Sequence, residues 1–524
     1  MSSWGPWTDE AFARAKAQDK PLLAAAGARP PKLAREVSQS VARRFVAVLA
    51  DPDSRPDAAA RVGAGHLVVM DPDGVRRGVL PISSADLGAA LERMADEASF
   101  ASSGRPEDPA PAWSAAVPPK SLGSAPDETC LEEAFAEARS AAAAGGVAVE
   151  VLEALAYAVS ERNDARALPL LEQGVDALLS GPLWDAANGA FRALGESPLR
   201  ANARRVRLLW DVHALTGADR WRRSVEAATR YLLHALYDPR LGSFLSAPAP
   251  KSPVHTADGN AQAVLALLRA SAFDVPGAPQ AAGKALSFLQ GLYDPILGLR
   301  HSAGGGGEEV CGLLGDAAWS ALAFTEAFQA TGDKAHREFA DVLLRFLFQE
   351  LWERDNGGFL DRVPRASDPA ILRETRLDPG LNAVALEVCW RLHHLKGNAN
   401  YRRWLDWALR GLWSLCGADA AGRAGLARVA DMAARGRLDL ELVGRPGETL
   451  SAALLAAARR AYAPRAIVSF VDPDDQGYIM AHKLTADSYP RLFGCGTDLR
   501  RLSDSAEPSG VAAVLCAMRA AEGV

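Results

Sequence analysis

Acidic, amide and aromatic side chains recur at the predicted starts of helices in the middle of the sequence. Carboxylates can exchange protons or hydrogen-bond hydroxyl groups, and tryptophan rings can stack on the apolar face of a sugar. If these helices begin at one end of the molecule, the side chains would line a ligand site there. The candidate ligand-binding residues are Trp210, Asp211, Asp258, Asn260, Asp316, Trp319, Arg376, Asp378 and Asn382.

The same residue types also have a purely structural interpretation. Asp258 and Asp316 precede apolar helices, where a carboxylate can cap the free backbone N–H groups. If instead Asp211, Asp316 and Asp378 converge on one site, nearby cations must offset their repulsion. The nearest arginines along the sequence are Arg204, Arg207 and Arg376.

Two histidines, His255 and His301, lie in predicted loops near these acids. They are the candidates for an acid/base pair, and Asp316 is a third candidate catalytic residue. His393 and His394 are adjacent in a helix, so their side chains point in different directions and cannot share one metal ion. The six cysteines lie far apart and form no CxxC pair. We therefore predict reduced thiols, no metal site and no cofactor.

The helices that carry these residues belong to a repeated pattern. Loops with an aromatic residue, acids and glycine recur at 182–191, 235–244, 291–300 and 350–359, and glycine turns recur at 215–221, 330–336 and 395–401. Each unit is a helix, a tight turn, a second helix and a loop. The pattern favours a closed (α/α)5 to (α/α)6 toroid over residues 128–436, and an ordinary helical bundle is the alternative.

Both flanks of this region alternate between strand and helix patterns. Residues 1–105 predict a leading helix followed by βαβαββα, a small α/β sandwich. Residues 106–127 contain six prolines and predict a linker. Residues 437–524 predict a small α/β segment that packs on the toroid.

Composition limits the function classes. The 524 residues include 58 Lys+Arg and 64 Asp+Glu, for a formal charge of -6, and 49% are hydrophobic. This is a globular, multidomain composition without a basic patch, so nucleic acid is not an expected partner. No uninterrupted apolar run is long enough for a membrane span, and the N-terminus lacks a signal-peptide pattern. We expect a cytoplasmic protein that is not bound to a membrane.

The first hundred residues contain a series of short motifs in a defined order. These are Trp4-Gly5-Pro6-Trp7, Glu10-Ala11-Phe12, Lys20-Pro21, Phe45-Val46, Asp51, Arg55-Pro56-Asp57 and Asp71-Pro72-Asp73-Gly74. In these motifs and their spacing the sequence resembles a family that fuses a thioredoxin-like domain to a toroid similar to N-acylglucosamine 2-epimerases and six-hairpin glycosidases. Its animal members are the spermatogenesis-associated thioredoxin-like proteins. The resemblance implies a thioredoxin-like fold, but the family's Cys-His-Trp-Cys motif corresponds here to a segment with Pro31 and Ala34 in place of both cysteines. The domain is therefore expected to be redox-inert.

The resemblance continues into the ring at a few positions. These are Trp210-Asp211, Asn260, Asp316-Ala317-Ala318, Asn382 and Tyr462-Ala463-Pro464. The family's His-Phe-Glu-Lys stretch corresponds to Arg204-Arg205-Val206-Arg207, which lacks the histidine and the acid. The resemblance implies a ring that binds a carbohydrate-like or other polar small molecule, with epimerase- or glycosidase-like catalysis unsettled. The alternative is a non-catalytic scaffold that binds a protein partner.

Overall fold

The computed structural model describes residues 4–99, 125–146, 148–193, 196–249, 254–304, 309–374, 376–416, 419–496 and 501–522. The predicted linker, 106–127, lies almost wholly outside these ranges. We call residues 4–99 the N-terminal unit, 125–435 the ring and 437–522 the C-terminal unit. Among the described helices, none is both long enough and apolar enough to cross a membrane.

The N-terminal unit is a five-stranded sheet with helices on both faces. Its strands stand in the order β1-β3-β2-β4-β5. Strands β1, β3 and β2 run parallel to one another, β4 pairs antiparallel with β2, and β5 pairs antiparallel with β4. Phe12 and Val62 pack on one face, whereas Val41 and Leu91 pack on the other. The elements are β1 Gly5–Pro6, α1 Asp9–Gln18, β2 Leu22–Ala26, α2 Arg35–Arg44, β3 Val46–Ala50, α3 Pro56–Val62, β4 His66–Met70, β5 Arg76–Pro81 and α4 Leu87–Ser99.

This unit has the predicted order of elements, with the short strand β1 in addition. The sequence pattern of residues 32–44 predicts the second helix of this unit, and the predicted start at Lys32 is wrong, because α2 begins at Arg35. No side-chain cap marks this start, since the N-cap residue is Ala34. Residues 31–34 are irregular, so Pro31 and Ala34 do not lie on adjacent helical turns.

The ring contains six inner helices, and each packs against the next. The last inner helix packs against the first, which closes the toroid with six hairpins. The inner helices are α6 Val149–Glu161, α8 Pro198–Thr216, α10 Ala257–Ser271, α12 Leu314–Thr331, α15 Pro379–Lys396 and α17 Ala420–Arg435, and the outer helices are α5 Glu128–Ala143, α7 Ala167–Ser180, α9 Arg222–Tyr231, α11 Ala278–Gly291, α13 Lys334–Phe346 and α16 Ala399–Leu415.

Local sequence explains where several inner helices end. Gly217, Gly332 and Gly397 follow α8, α12 and α15 in the left-handed conformation, with φ of 65°, 72° and 68°. Glycine adopts this conformation without the steric cost of a Cβ atom, and each amide closes the last turn. These are the three predicted glycine turns, and they are confirmed.

The repeated aromatic loops are short hairpins that lead from an outer helix to an inner helix. Trp184 pairs with Phe191 and Tyr237 with Phe244 across two-residue strands, and their ring centroids lie 4.9 and 5.1 Å apart. Trp352 and Phe359 repeat this arrangement at 5.3 Å. The ladders are β6 Trp184–Asp185 with β7 Ala190–Phe191, β8 Tyr237–Asp238 with β9 Ser243–Phe244, β10 His255–Thr256 with β13 Ser302–Ala303, and β11 Tyr293–Asp294 with β12 Gly298–Leu299.

The C-terminal unit is a mixed four-stranded sheet in the order β15-β14-β16-β17. Leu440 and Leu442 of β14 pack with the flanking helices, and Ile467 of β15 joins the core of the ring. The sequence predicted the first two strands and the terminal helix, but not β16 and β17. The elements are β14 Leu438–Val443, α18 Thr449–Arg460, β15 Ala466–Val471, α19 Gln476–Ala481, β16 Arg491–Cys495, β17 Arg501–Ser505 and α20 Val511–Ala521, while a short helix of the ring, α14, spans Ala370–Arg373.

The two units contact opposite ends of the ring. We call the end where the inner helices begin the mouth and the end where they finish the base. At the mouth, Arg200 of α8 pairs with Asp53 of the N-terminal unit at 2.5 Å. At the base, the buried Arg465 of the C-terminal unit pairs with Glu161, the last residue of α6, at 2.8 Å. The ring is therefore covered at both ends.

Candidate functional site

A cavity of about 360 Å³ lies inside the mouth of the ring. Its volume falls within the range of small-molecule sites in proteins. Three of the predicted ligand residues, Asp258, Trp319 and Asp378, line it, as does Pro52 of the N-terminal unit. Its other polar lining residues are Glu150, Glu153, Glu196, Arg200, Arg204, Arg207, Gln262 and Arg428.

Arg204 forms much of one wall of this mouth cavity. Its guanidinium group lies 5.3 Å from the ring centroid of Trp319, a cation–π contact. It also pairs with Glu150 and lies 3.6 Å from Glu153. Arg204 and Arg207 were expected to balance acids at this site, and both are present. Arg200 was not anticipated, although Arg200, Arg204 and Arg207 share one face of α8 at helical spacing.

Gln262 lines the mouth cavity and has a side-chain oxygen without a hydrogen-bond donor in the described ranges. Its side chain extends from α10 one turn after Asp258, and only 5% of the residue is exposed. Its Oε1 atom is buried and accepts no hydrogen bond from the described residues. A buried amide carbonyl without a partner costs about 1–3 kcal/mol. Gln262, which lines the mouth cavity, thus has a side-chain oxygen left without a donor by the described residues.

A hydrogen-bonded network beside the cavity joins three inner-helix residues to the N-terminal unit. The Arg200 guanidinium donates to Asp258 at 2.9 Å and to the Pro52 carbonyl at 2.9 Å. His301 lies with Nδ1 2.9 Å from Oδ1 of Asp316 and Nε2 3.2 Å from the Asp53 carbonyl oxygen. The network therefore holds the loop at Pro52 and Asp53 over the mouth.

The charges in this network fix the protonation state of His301. Burial alone would lower the pKa of the imidazole, but the Asp316 and Asp258 carboxylates together outweigh it and raise the pKa to about 9. An imidazolium can donate from both ring nitrogens, as the two contacts require.

Asp258, His301 and Asp316 offer ligand atoms within 4.8 Å of one another. Because Arg200 and the imidazolium already neutralise these carboxylates, the arrangement suits an ion-pair network better than a metal ion.

Two predicted residues lie deeper in the molecule than expected. Asp211 lines a separate cavity at the base, where its carboxylate lies 2.7 Å from Nε of Arg269. Trp210 is fully buried, donates from Nε1 to Thr229 and stacks on Phe273 at 4.7 Å. The prediction placed both residues at the start of an inner helix, but α8 begins at Pro198. At 1.5 Å per residue they lie about 20 Å along it. The expected convergence of Asp211 with Asp316 and Asp378 is therefore wrong.

Asn260 and Asn382 are committed to the fold and do not line the cavity. The side-chain oxygen of Asn260 accepts from the Phe244 amide at 2.7 Å, and its nitrogen donates to the carbonyls of Phe244 and Thr256. Asn382 makes the same three bonds with Phe359 and Asp378. Both side chains clamp the hairpin before their helix, so the predicted ligand role does not fit their contacts.

The remaining candidates have identifiable local partners. Arg376 lies 3.5 Å from Asp378, whose carboxylate also caps the Leu381 amide. His255 is buried and hydrogen-bonds to Ser243 at 2.9 Å, and burial lowers its pKa. His255 and His301 thus engage different side chains, so the structure gives no shared proton path for the predicted acid/base pair.

Comparison with known proteins gives structural likeness only. No family model matches the sequence, and no curated protein matches it significantly. Among solved structures, a D-mannose isomerase is 14% identical, with a TM-score of 0.41 over 51% of this chain and 74% of its own. An inactive α-1,6-mannanase variant from Salegentibacter sp. HEL1_6, in complex with α-1,6-mannotriose, is 10% identical, with a TM-score of 0.40 over 53% and 88%. A family 105 glycoside hydrolase from C. acetobutylicum is 9% identical, with a TM-score of 0.42 over 52% and 80%.

Proposed function

We propose that the ring binds a small polyhydroxylated or otherwise polar ligand, such as a carbohydrate, in the mouth cavity. The observation that carries the proposal is the mouth cavity itself, which is lined by the indole of Trp319, by several charged groups and by Gln262, whose side-chain oxygen has no partner among the described residues. A ligand with hydroxyl groups can donate to Gln262 and accept from the arginines. Catalysis is not part of the proposal, because His255 and His301 are engaged separately.

We further propose that the N-terminal unit is a thioredoxin-like domain that acts as a lid for this site. Its strand order and its pattern of parallel and antiparallel pairs support the fold, and Pro52 in the cavity wall supports the role. Residues 4–99 contain no cysteine, which supports a lid without thiol–disulfide exchange activity of its own.

The substitution Gln262→Leu tests the ligand site. We would measure thermal unfolding of the full chain with glucose, mannose, N-acetylglucosamine and α-1,6-mannotriose. The wild type should be stabilised by at least one of these sugars, and Gln262→Leu should lose that stabilisation. The variant without ligand should be no less stable than the wild type, because the substitution removes an unpaired buried carbonyl.

Gln329→Leu is the matched control. Gln329 is another buried inner-helix glutamine, but its oxygen accepts from the Val468 amide at 3.1 Å. This variant should lose about 1–3 kcal/mol of stability and keep the sugar response. If no sugar in the panel stabilises the wild type, the carbohydrate proposal fails and the scaffold hypothesis replaces it.

A further inference from the structure

A second cavity, of about 120 Å³, lies at the base of the ring under the C-terminal unit. The later turns of the inner helices form its walls, and the segment from Ala458 to Ala466 contributes Arg459 and Tyr462. Glu153, Arg207 and Arg428 line both this base cavity and the mouth cavity, so they lie between the two. The base cavity is too small for a sugar chain but has room for a small ion.

The lining of the base cavity has one more cation than anion. Five arginines and four carboxylates line it. Glu387 pairs with both Arg391 and Arg428 at 2.9 Å, and these arginines hold its pKa at about 2 despite burial. Asp211 lies 2.7 Å from Arg269 and 4.0 Å from Arg207. Glu326 pairs with Arg391 at 3.2 Å, and Glu153 lies 3.6 Å from Arg204, so each of the four carboxylates has a cation partner other than Arg459. Arg459 is therefore the lining arginine without an ion-pair partner among the described residues.

Arg459 has no carboxylate within ion-pair distance in the part of the chain that the structure describes. Its Nη2 donates to the Leu268 carbonyl, and its own carbonyl accepts from Nη1 of Arg269. Nη2 of Arg269 is buried and also lacks a hydrogen-bond partner there. A guanidinium group carries five N–H donors, so the two arginines retain several uncommitted donors beside the cavity.

The electrostatics agree with this geometry. Burial, together with the neighbouring Arg269, lowers the pKa of Arg459 to about 10 although Glu326 opposes the change. A buried cation without a counter-ion is costly, and a bound anion would remove that cost.

We propose that the base cavity binds one small oxyanion, a carboxylate or a phosphate, between the guanidinium groups of Arg269 and Arg459. Charge-assisted hydrogen bonds to both groups would hold it. The alternative is that the arginines only cap helix carbonyls, Arg459 at the end of α10 and Arg269 at the end of α18. Such capping uses one of the five N–H donors of Arg459 and does not explain the surplus charge. The proposal is independent of the mouth site.

Equilibrium dialysis of the full chain at constant ionic strength tests this proposal, with radiolabelled inorganic phosphate and acetate as separate probes. The wild type should bind one anion per chain, and comparing the probes identifies the preferred class. Arg459→Gln should weaken binding roughly tenfold or more. Arg460→Gln is the control, because Arg460 is adjacent in the same helix but pairs with the exposed Asp274 and does not line the cavity.

Asp211→Asn provides a second variant, in which we expect the affinity for the anion to rise instead of fall. Removing this carboxylate leaves Arg269 without its counter-ion, so the anion should bind several-fold more tightly. If the arginines only cap carbonyls, Asp211→Asn should not bind the anion more tightly. Absence of saturable binding to the wild type, equal affinity in Arg459→Gln, or unchanged or weaker binding in Asp211→Asn would each overturn the proposal.

Discussion

Three asparagines at equivalent positions hold the hairpins of the ring in place. Asn202, Asn260 and Asn382 each accept from a phenylalanine amide at 2.7 Å and donate to the carbonyl of the same phenylalanine. Each also donates to the carbonyl four residues earlier. An amide side chain satisfies one donor and one acceptor of a buried loop together, which neither a carboxylate nor an alkyl group can do.

Asn260→Ala should therefore destabilise the protein without changing the mouth cavity. The substitution leaves the amide and the carbonyl of Phe244 buried and unpaired, and we expect a loss of about 2–4 kcal/mol in the free energy of unfolding. Urea unfolding would measure it. Asn188→Ala is the control, because Asn188 makes an exposed bond to Asp185. A similarly small loss in the free energy of unfolding in both variants would contradict the role of Asn260 in holding the hairpin.

At the level of elements, the N-terminal unit is joined to the ring by more than the network at the mouth. Arg61 of α3 is buried and donates to both carboxylate oxygens of Asp361, at 2.9 and 3.1 Å, and to the carbonyl of Glu374. The turn at Asp73 and Gly74 accepts two backbone bonds from α14. Gly74 has a φ of 83°, and a Cβ atom there would lie 2.7 Å from Pro369. Glycine is required for this close approach.

A double-mutant cycle on Arg61 and Asp361 measures how strongly this contact holds the unit. Arg61→Met should cost about 3–5 kcal/mol, because it leaves Asp361 without its cation in a buried site. Adding Asp361→Leu should recover much of that loss, since no uncompensated charge remains. Lys16→Ala, which removes the exposed pair with Asp73, should change stability by less than about 0.5 kcal/mol. Additive losses from the two buried substitutions would contradict direct coupling.

Across the whole molecule, both ends of the closed ring are sealed by polar contacts. Tyr157 of the first inner helix donates to Asp431 of the last at 2.7 Å, where the ring closes. The mouth seal depends on a protonated His301 that touches both Asp316 and the Asp53 carbonyl. The stability of the assembled molecule should consequently depend on the titration of this one histidine.

The sign of this pH dependence follows from the pKa of His301, which rises from 6.5 to about 9 on folding. Its contribution is fully present below pH 6.5 and is lost as the pH rises through 9. The stability difference between the wild type and His301→Gln should fall by on the order of 3 kcal/mol across that range. Urea unfolding from about pH 6 to about pH 10 would measure it, with the exposed His234→Gln as control. A stability difference between the wild type and His301→Gln that does not change with pH would contradict a charged His301.

Features that depend on neighbours along the chain could be predicted from the amino-acid sequence. The glycine turns at Gly217, Gly332 and Gly397, the aromatic hairpins and the alternating pattern of the N-terminal unit follow from backbone sterics and side-chain periodicity within a few residues. Residues 4–99 contain no cysteine, and the prediction that this unit is redox-inert rests on that sequence feature.

Which side chains share a site depends on the packing of distant elements and could not be predicted in this way. Asp258, Trp319 and Asp378 meet at the mouth because their helices begin there, whereas Asp211 lies at the base because it follows three turns of α8. Gln262 and the loop at Asp53 carry no local signal of their role, and only its helical spacing from Arg204 links Arg200 to the site. Asp53 and Arg200 are 147 residues apart. Contacts over such distances are set by how whole elements pack, and helical periodicity does not encode them.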